Sequence, residues 1–118
     1  MSVDPGSESL LRRAYEAFNA RDIEAAIALM HPEVDWPNAM EGTRVHGHAG
    51  VRDYWTRQFD TVNSRVAPQR LSSTTDGRIV VDVHQVVHDT SGNLLADAMV
   101  QHVFTVEDGL VTHMEVRG

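Results

Sequence analysis

The spacing of the apolar residues changes once along the chain, and this change limits the folds the chain can adopt. In the first half, apolar residues recur at intervals of three and four, which places them on one side of an α-helix. In the second half they mostly alternate with polar residues or form short runs, as in strands. Helices followed by strands predict an α+β domain, with the helices packed on one face of an antiparallel sheet.

Three helices are predicted in the first half. The first starts at Asp4-Pro5 or Ser7, because Asp and Ser accept hydrogen bonds from free helix amides. The second follows Asp22 and ends at His31-Pro32, because the residue before a proline is disfavoured in the helical region. The apolar stripes of the three helices run over residues 10–18, 23–30 and 51–59.

Four strands are predicted over residues 66–74, 78–88, 94–106 and 110–117, after an extended piece at 34–36 and a loop at 38–46. Ser91-Gly92 and Asp108-Gly109 fit two-residue hairpin turns, because glycine, and less readily Asp, accepts the positive φ that such turns need. These turns pair His84 with Met99, Asp82 with Gln101, Val86 with Asp97, Val103 with Met114 and Gln101 with Val116.

A three-residue second loop would move the last strand by one residue and bring His113 and Glu115 to the face predicted for Met114 and Val116.

Composition excludes several classes of function. Ten basic residues against seventeen acidic ones give a net charge of −7, which argues against binding to nucleic acid or to anionic membranes. The absence of cysteine excludes a disulfide framework and a cysteine nucleophile. The first residues lack the basic and apolar runs of a secretory signal, so we expect a cytoplasmic protein. A length of 118 residues is typical of one domain, so we expect a single domain over residues 1–118.

Seven histidines raise the question of a metal site. His84 and His88 are four residues apart, which on a strand separates them by about 13 Å, too far to share a metal ion. His46 and His48 would need a third ligand that the sequence does not locate. We therefore expect neither a metal nor a cofactor.

Three segments carry a family resemblance: YEAFNARDIEAAIALMHPEVDWP, VHGHAGVRDYW and VFTVEDGLVTHMEV. In this order they resemble the nuclear transport factor 2-like superfamily, in its SnoaL-like and ketosteroid-isomerase-like branch. The resemblance implies a cone-shaped domain whose three helices and strongly curved sheet enclose a deep pocket, often as a dimer through the outer face of the sheet. It implies a small apolar or aromatic ligand and proton transfer, cyclisation or hydration as the reaction. The alternative is a non-catalytic ligand-binding or dimerisation module, because one fold hosts many functions.

Ketosteroid isomerase activity itself is disfavoured. In that branch an aspartate base follows the second helix, and a tyrosine and a neutral acid bind the enolate. Trp36 aligns with the base and Gln101 with the neutral acid, while Tyr15 matches the tyrosine only after a shift of one residue.

The strand over residues 78–88 has one valine-rich face and one face with mixed polar and apolar residues. Which of the two faces the helices determines which residues line the pocket. Given the resemblance, we expect the mixed face to line the pocket, with His84 as an acid–base catalyst oriented by Asp82 or Asp97 and with Gln101 as a hydrogen-bond donor. Hydrophobicity alone favours the opposite arrangement, with the valines beneath the helices and the mixed face in water.

The residues predicted to bind the ligand are apolar or aromatic and lie on inward stripes, on the mixed face or, for Met40, in the loop over residues 38–46: Tyr15, Phe18, Trp36, Met40, Tyr54, Trp55, Phe59, Val86, Met99, Val103, Met114 and Val116. The residues predicted to form a homodimer seam lie on the valine-rich face: Val81, Val83, Val87, Ala98, Val100 and Phe104.

Overall fold

A computed structural model describes residues 3–38 and 41–117. Three helices pack on one face of a six-stranded sheet, so the predicted α+β cone is confirmed. In chain order the elements are α1 (Pro5–Asn19), α2 (Ile23–Ile27), β1 (Met30–Asn38), β2 (Thr43–His46), α3 (Gly47–Thr61), β3 (Val62–Ser73), β4 (Ile79–Asp89), β5 (Leu94–Glu107) and β6 (Leu110–Arg117).

The helices begin where the sequence predicts. The Asp4 carboxylate accepts a hydrogen bond from the Ser7 amide at 2.9 Å, and Asp22 caps α2 in the same way. However, α2 ends at Ile27, earlier than predicted, and Met30 already belongs to β1. The Val111 amide donates to the carbonyl oxygen of Leu29 at 3.0 Å, so this turn is tied to the last strand instead of continuing the helix.

The sheet is mixed and not purely antiparallel. Its strand order is β2-β1-β6-β5-β4-β3, and β1 runs parallel to β6 while the other neighbours are antiparallel. The sequence predicted β1 only as a short extended piece and β2 only as a loop. β1 contains Pro32 and Pro37, and a proline argues against a strand in the sequence because it has no amide to donate to a neighbouring strand.

The first hairpin has the predicted register. His84 pairs with Met99 and Asp82 with Gln101, although the loop is longer than expected, with the Asp89 amide donating to the Asn93 carbonyl oxygen. An irregularity between Val87 and His88 absorbs the additional residue.

The second hairpin has the predicted two-residue turn, with positive φ angles of 52° at Asp108 and 76° at Gly109. A bulge next to Thr105 then shifts the register by one residue. Val103 therefore pairs with Glu115 and not with Met114, and Gln101 pairs with Arg117 and not with Val116. The last strand is therefore shifted by one residue, as a three-residue loop would also have shifted it, but here the bulge causes the shift.

The predicted orientation of the sheet is wrong. Val81 and Val83 are 0% exposed and Phe104 2% exposed in the core, whereas Met99 on the other face is 56% exposed. We call the valine-rich side the inner face and the side carrying Asp82 and Met99 the outer face. Burial of apolar area decides the orientation, because the inner face offers the helices far more of it.

Most of the predicted homodimer seam is wrong for the same reason. Val81, Val83 and Phe104 belong to the core, and Val100 packs against it. Val87 and Ala98 lie on the same inner face, farther along the hairpin. Val81, Val83, Val100 and Phe104 therefore form the floor beneath the helices, whereas Val87 is half-buried and Ala98 is exposed.

The two faces can be distinguished by stability. We expect Val83→Ala to lower the free energy of unfolding by about 2 kcal/mol, because it removes buried methyl groups and leaves a cavity. Met99→Ala on the outer face is expected to change it by less than about 0.5 kcal/mol. Urea unfolding of the two variants measures the difference, and equal losses would contradict the orientation.

Candidate functional site

A partly open cavity lies between the inner face, α1 and α3. It offers about 90 Å³ of space to the centres of water-sized molecules. Seven of the predicted ligand-binding residues line it, and they are Tyr15, Phe18, Trp36, Tyr54, Trp55, Met114 and Val116. Nine further lining residues were not predicted as part of the site, and they are Ala14, Met30, Pro37, Gln58, Ser64, Val66, Gln85, His102 and Phe104.

Aromatic rings form one wall of this cavity. Trp36 meets Trp55 edge to face with ring centroids 5.4 Å apart, and Phe18 meets Trp55 at 5.3 Å. Phe59 packs behind Phe18 and Trp55 and contributes to the core, but it does not line the cavity. Edge-to-face contacts hold each ring in one orientation, so the wall is rigid and apolar.

Tyr15 and His102 bring the ionisable chemistry into the cavity. The Tyr15 hydroxyl and His102 Nδ1 lie 2.7 Å apart, and the two rings stack with centroids 5.8 Å apart. Phe104 contacts both rings edge to face. The buried stripe of α1 positions the tyrosine, and the inner face of β5 positions the histidine.

Burial keeps both partners neutral at pH 7. It lowers the pKa of His102 to about 4 and raises the pKa of Tyr15 well above its usual value, since each charged form would lose its hydration. The other ring nitrogen of His102, Nε2, has no hydrogen-bond partner among the described residues. The pair thus presents an unused imidazole nitrogen where a ligand would bind.

The predicted catalytic residues lie on the outer face, away from the cavity. His84 Nε2 is 2.6 Å from Asp97 Oδ1, and the Gln101 amide donates to Asp82 at 2.9 Å. The predicted neighbours therefore meet, with Asp97 and not Asp82 beside His84. Both pairs are open to solvent, so no enclosed site forms around them.

The remaining predicted ligand-binding residues divide into two groups. Val86, Met99 and Val103 lie on the outer face and do not line the cavity, although Val103 is buried there. Met40 lies outside the described residues.

Met114 and Val116 line the cavity for a reason that the sequence did not predict. They were placed there on the assumption that they share a face with Asp82 and His84. The face was wrong and the register was wrong by one residue, and the two errors cancel.

The cavity carries no charged side chain among its described lining residues. Trp36, the residue that the sequence resemblance aligns with the base of the ketosteroid isomerases, lines the cavity, and the neighbouring Asp35 turns outward to pair with Arg44 at 2.5 Å. The described residues contain no group of three His, Asp or Glu side chains placed to hold a metal ion. Within residues 3–38 and 41–117, no helix is long and apolar enough to cross a membrane.

One signal in the sequence could have located His102. It lies between Val100 and Phe104 on the strand face that was recognised as the most apolar. A single histidine on an apolar strand face is either a buried group with one partner or a functional group. The helices and not a second subunit cover most of that face, so His102 lies in the cavity.

Comparison with known proteins places this architecture in a family. A SnoaL-like domain model matches residues 11–114. The chain belongs to the SnoaL-like family. Comparison of this SnoaL-like domain with curated proteins gave no match.

Solved structures with this fold include ligand complexes. TerC, co-crystallised with polyporic acid, is 31% identical with a TM-score of 0.81, covering 96% of this chain and 90% of its own. A nuclear transport factor 2-like protein of unknown function from Burkholderia pseudomallei is 27% identical with a TM-score of 0.83, covering 99% and 91%. RV0760c from Mycobacterium tuberculosis, in complex with estradiol-17β-hemisuccinate, is 16% identical with a TM-score of 0.81, covering 96% and 93%. At that identity RV0760c shares the fold alone.

The buried histidine has a measurable effect on stability. Its pKa is about 4 in the folded chain and about 6.5 in an unfolded one, so between these values the unfolded chain binds more protons. The stabilisation from burying a neutral imidazole is complete above about pH 6.5 and is lost as the pH falls toward 4.

We therefore expect the wild type to lose about 2 kcal/mol more unfolding free energy than His102→Gln between pH 7 and pH 5. Urea titrations at the two pH values measure this difference. Parallel pH profiles for the two proteins would contradict the buried, neutral state of His102.

Proposed function

We propose that this SnoaL-like domain binds one small, uncharged, apolar or aromatic molecule in its cavity and transfers a proton on it. His102 and Tyr15 act as the acid–base pair. The observation that carries this proposal is the 2.7 Å contact between two ionisable groups on the wall of an otherwise mainly apolar cavity.

The size of the cavity supports a ligand of one or two rings. A water needs about 10–15 Å³ of space for its centre, so the cavity volume of about 90 Å³ corresponds to roughly six to nine waters. At about 30 Å³ of liquid per water, that is roughly the room of two small aromatic rings. TerC, whose sequence is 31% identical to that of this chain, was co-crystallised with polyporic acid.

The lining supports an uncharged ligand. A buried carboxylate or ammonium group needs an opposite charge or a metal ion to offset its lost hydration. No Arg, Lys, Asp or Glu side chain is among the described lining residues. Trp36, Trp55 and Phe18 favour flat apolar surfaces instead.

Two neutral arrangements of the pair make proton transfer possible. In one, the Tyr15 hydroxyl donates to Nδ1 and His102 presents an Nε2–H donor. In the other, Nδ1–H donates to the tyrosine oxygen, Nε2 presents a lone pair and the hydroxyl hydrogen points elsewhere. The two arrangements differ only in where the protons lie, and neither contains a buried charge.

A carbonyl ligand can convert one arrangement into the other. Nε2 takes a proton from the carbon next to the carbonyl group, Nδ1 passes its proton to the tyrosine oxygen, and the tyrosine hydroxyl gives its proton to the carbonyl oxygen. The ligand changes from ketone to enol, and every proton lost by one atom is gained by the next. This route suits a histidine with a pKa of about 4, because it avoids forming an imidazolium ion.

The rival function is binding without catalysis. Trp36 in place of an acidic base favours it, because the cavity then has no permanently charged group to drive deprotonation. In that case the Tyr15–His102 contact serves only to satisfy a buried imidazole.

Exchange of hydrogen for deuterium in 2-tetralone separates the two functions. This neutral two-ring ketone has acidic C–H bonds beside its carbonyl group. We expect the wild type in D₂O to accelerate their exchange over buffer, and His102→Ala and Tyr15→Phe to reduce that acceleration about 100-fold, the scale of one acid–base group. Proton NMR follows the exchange, and calorimetry measures 2-tetralone binding to each variant.

His84→Ala is the matched comparison, because it removes an imidazole from the outer face. It should retain the wild-type exchange rate. If it abolishes exchange while His102→Ala does not, the chemistry belongs to the outer face. Binding of 2-tetralone without any acceleration in the wild type would favour the binding module.

A further inference from the structure

We infer that the ligand carries a second uncharged hydrogen-bonding group, bound by Gln58, Ser64 and Gln85 in a part of the cavity distant from Tyr15 and His102 along the strands. This inference rests on the proposed function, because it describes the molecule that occupies the same cavity. We call the three residues the amide–hydroxyl cluster.

Ser64 is the most informative member of the cluster. Its side chain is 1% exposed, and its hydroxyl oxygen has no hydrogen-bond partner among the described residues. Leaving a buried hydroxyl unpaired costs folding free energy, so such a group requires an explanation. Ser64 lines the cavity, so a polar atom of a ligand can supply the missing partner.

Gln58 and Gln85 also lack a hydrogen-bond partner in the described part of the chain, but they are half-buried and not enclosed as Ser64 is. Both line the cavity, and neither side chain makes a hydrogen bond within residues 3–38 and 41–117. Glutamines elsewhere in the chain are paired, since Gln101 donates to Asp82 and Gln69 donates to the Ala67 carbonyl oxygen. Polar groups without a partner therefore converge on the cavity from α3, β3 and β4.

The register of the sheet separates Ser64 from the Tyr15–His102 pair. On β4, Ser64 pairs with Val87 and His102 pairs with Val81, six residues away. Six residues span about 20 Å along an extended strand, and curvature of the sheet shortens the direct distance. Ser64 and His102 therefore lie at different ends of the cavity floor, with Gln85 between their pairing positions.

The chemistry of the cluster defines the group it binds. Two amides and one hydroxyl both donate and accept hydrogen bonds but carry no charge, which suits a hydroxyl or a carbonyl group and not a carboxylate or a phosphate. The ligand class is therefore an apolar or aromatic molecule with an uncharged oxygen function at each end.

Two probes that differ by one hydroxyl group test the inference. Biphenyl-4,4′-diol has an oxygen at each end, whereas 4-phenylphenol has one, and calorimetry measures both dissociation constants. Because the two ends of the diol are equivalent, it can bind in two orientations, and this alone makes its affinity about twice that of 4-phenylphenol. One additional neutral hydrogen bond should raise this ratio of affinities to about 5- to 20-fold.

In Ser64→Ala and in Gln85→Leu, we expect the ratio of the two dissociation constants to fall, so that the diol keeps only about a twofold advantage over 4-phenylphenol. Ser72→Ala, on the same strand but outside the cavity lining, should keep the wild-type preference. Ser64→Ala should also be at least as stable as the wild type, because it removes an unpaired buried hydroxyl.

The possible failures are distinct. A wild-type preference of twofold or less, with both probes bound, overturns the inference and leaves the proposed function standing. A preference that survives in both Ser64→Ala and Gln85→Leu overturns the assignment to this cluster. If the wild type binds neither probe nor 2-tetralone, the proposed function fails, and the inference fails with it.

Discussion

The packing of the inner sheet face against α1 and α3 is the constraint on which the other features depend. Val81 and Val83 lose all contact with water there, and the apolar area they bury outweighs what the outer face could offer. Because side chains alternate along a strand, this choice also decides the direction of every polar residue on β4 and β5. Asp82 and His84 turn to solvent, and His102 and Gln85 turn inward as a consequence.

Polar groups on the inner face must therefore find partners in an environment with little water. His102 is paired with Tyr15, and burial lowers its pKa so that the imidazole stays neutral. Ser64 finds none among the described residues. Nε2 of His102 has no partner among these residues either, so each region of the cavity offers a polar atom to a ligand. Stability and binding thus make opposite demands on the same face of the sheet.

Much of the fold could be predicted because its signals are local. Asp4 and Asp22 cap helices at the predicted places, and the Asp108-Gly109 turn forms as its residues require. The site could not be predicted from the same kind of signal. The valine-rich pattern shows that one face is buried but not whether helices or a second subunit cover it, and the family resemblance suggested the wrong answer. The bulge next to Thr105 has no glycine that would indicate it in the sequence, so the register of β6 could not be predicted either.

That bulge determines which side of the last strand faces the cavity. Thr112 is the residue that β5 leaves unmatched, and it stands between the turn and the part of β6 that reaches the cavity. Regular pairing without the bulge would place Met114 opposite Val103 on the outer face and turn His113 and Glu115 toward the cavity. Deletion of Thr112 would instead remove the bulge together with its additional residue. Met114 would stay opposite Phe104, so this position can lose a residue while the apolar wall of the cavity is kept.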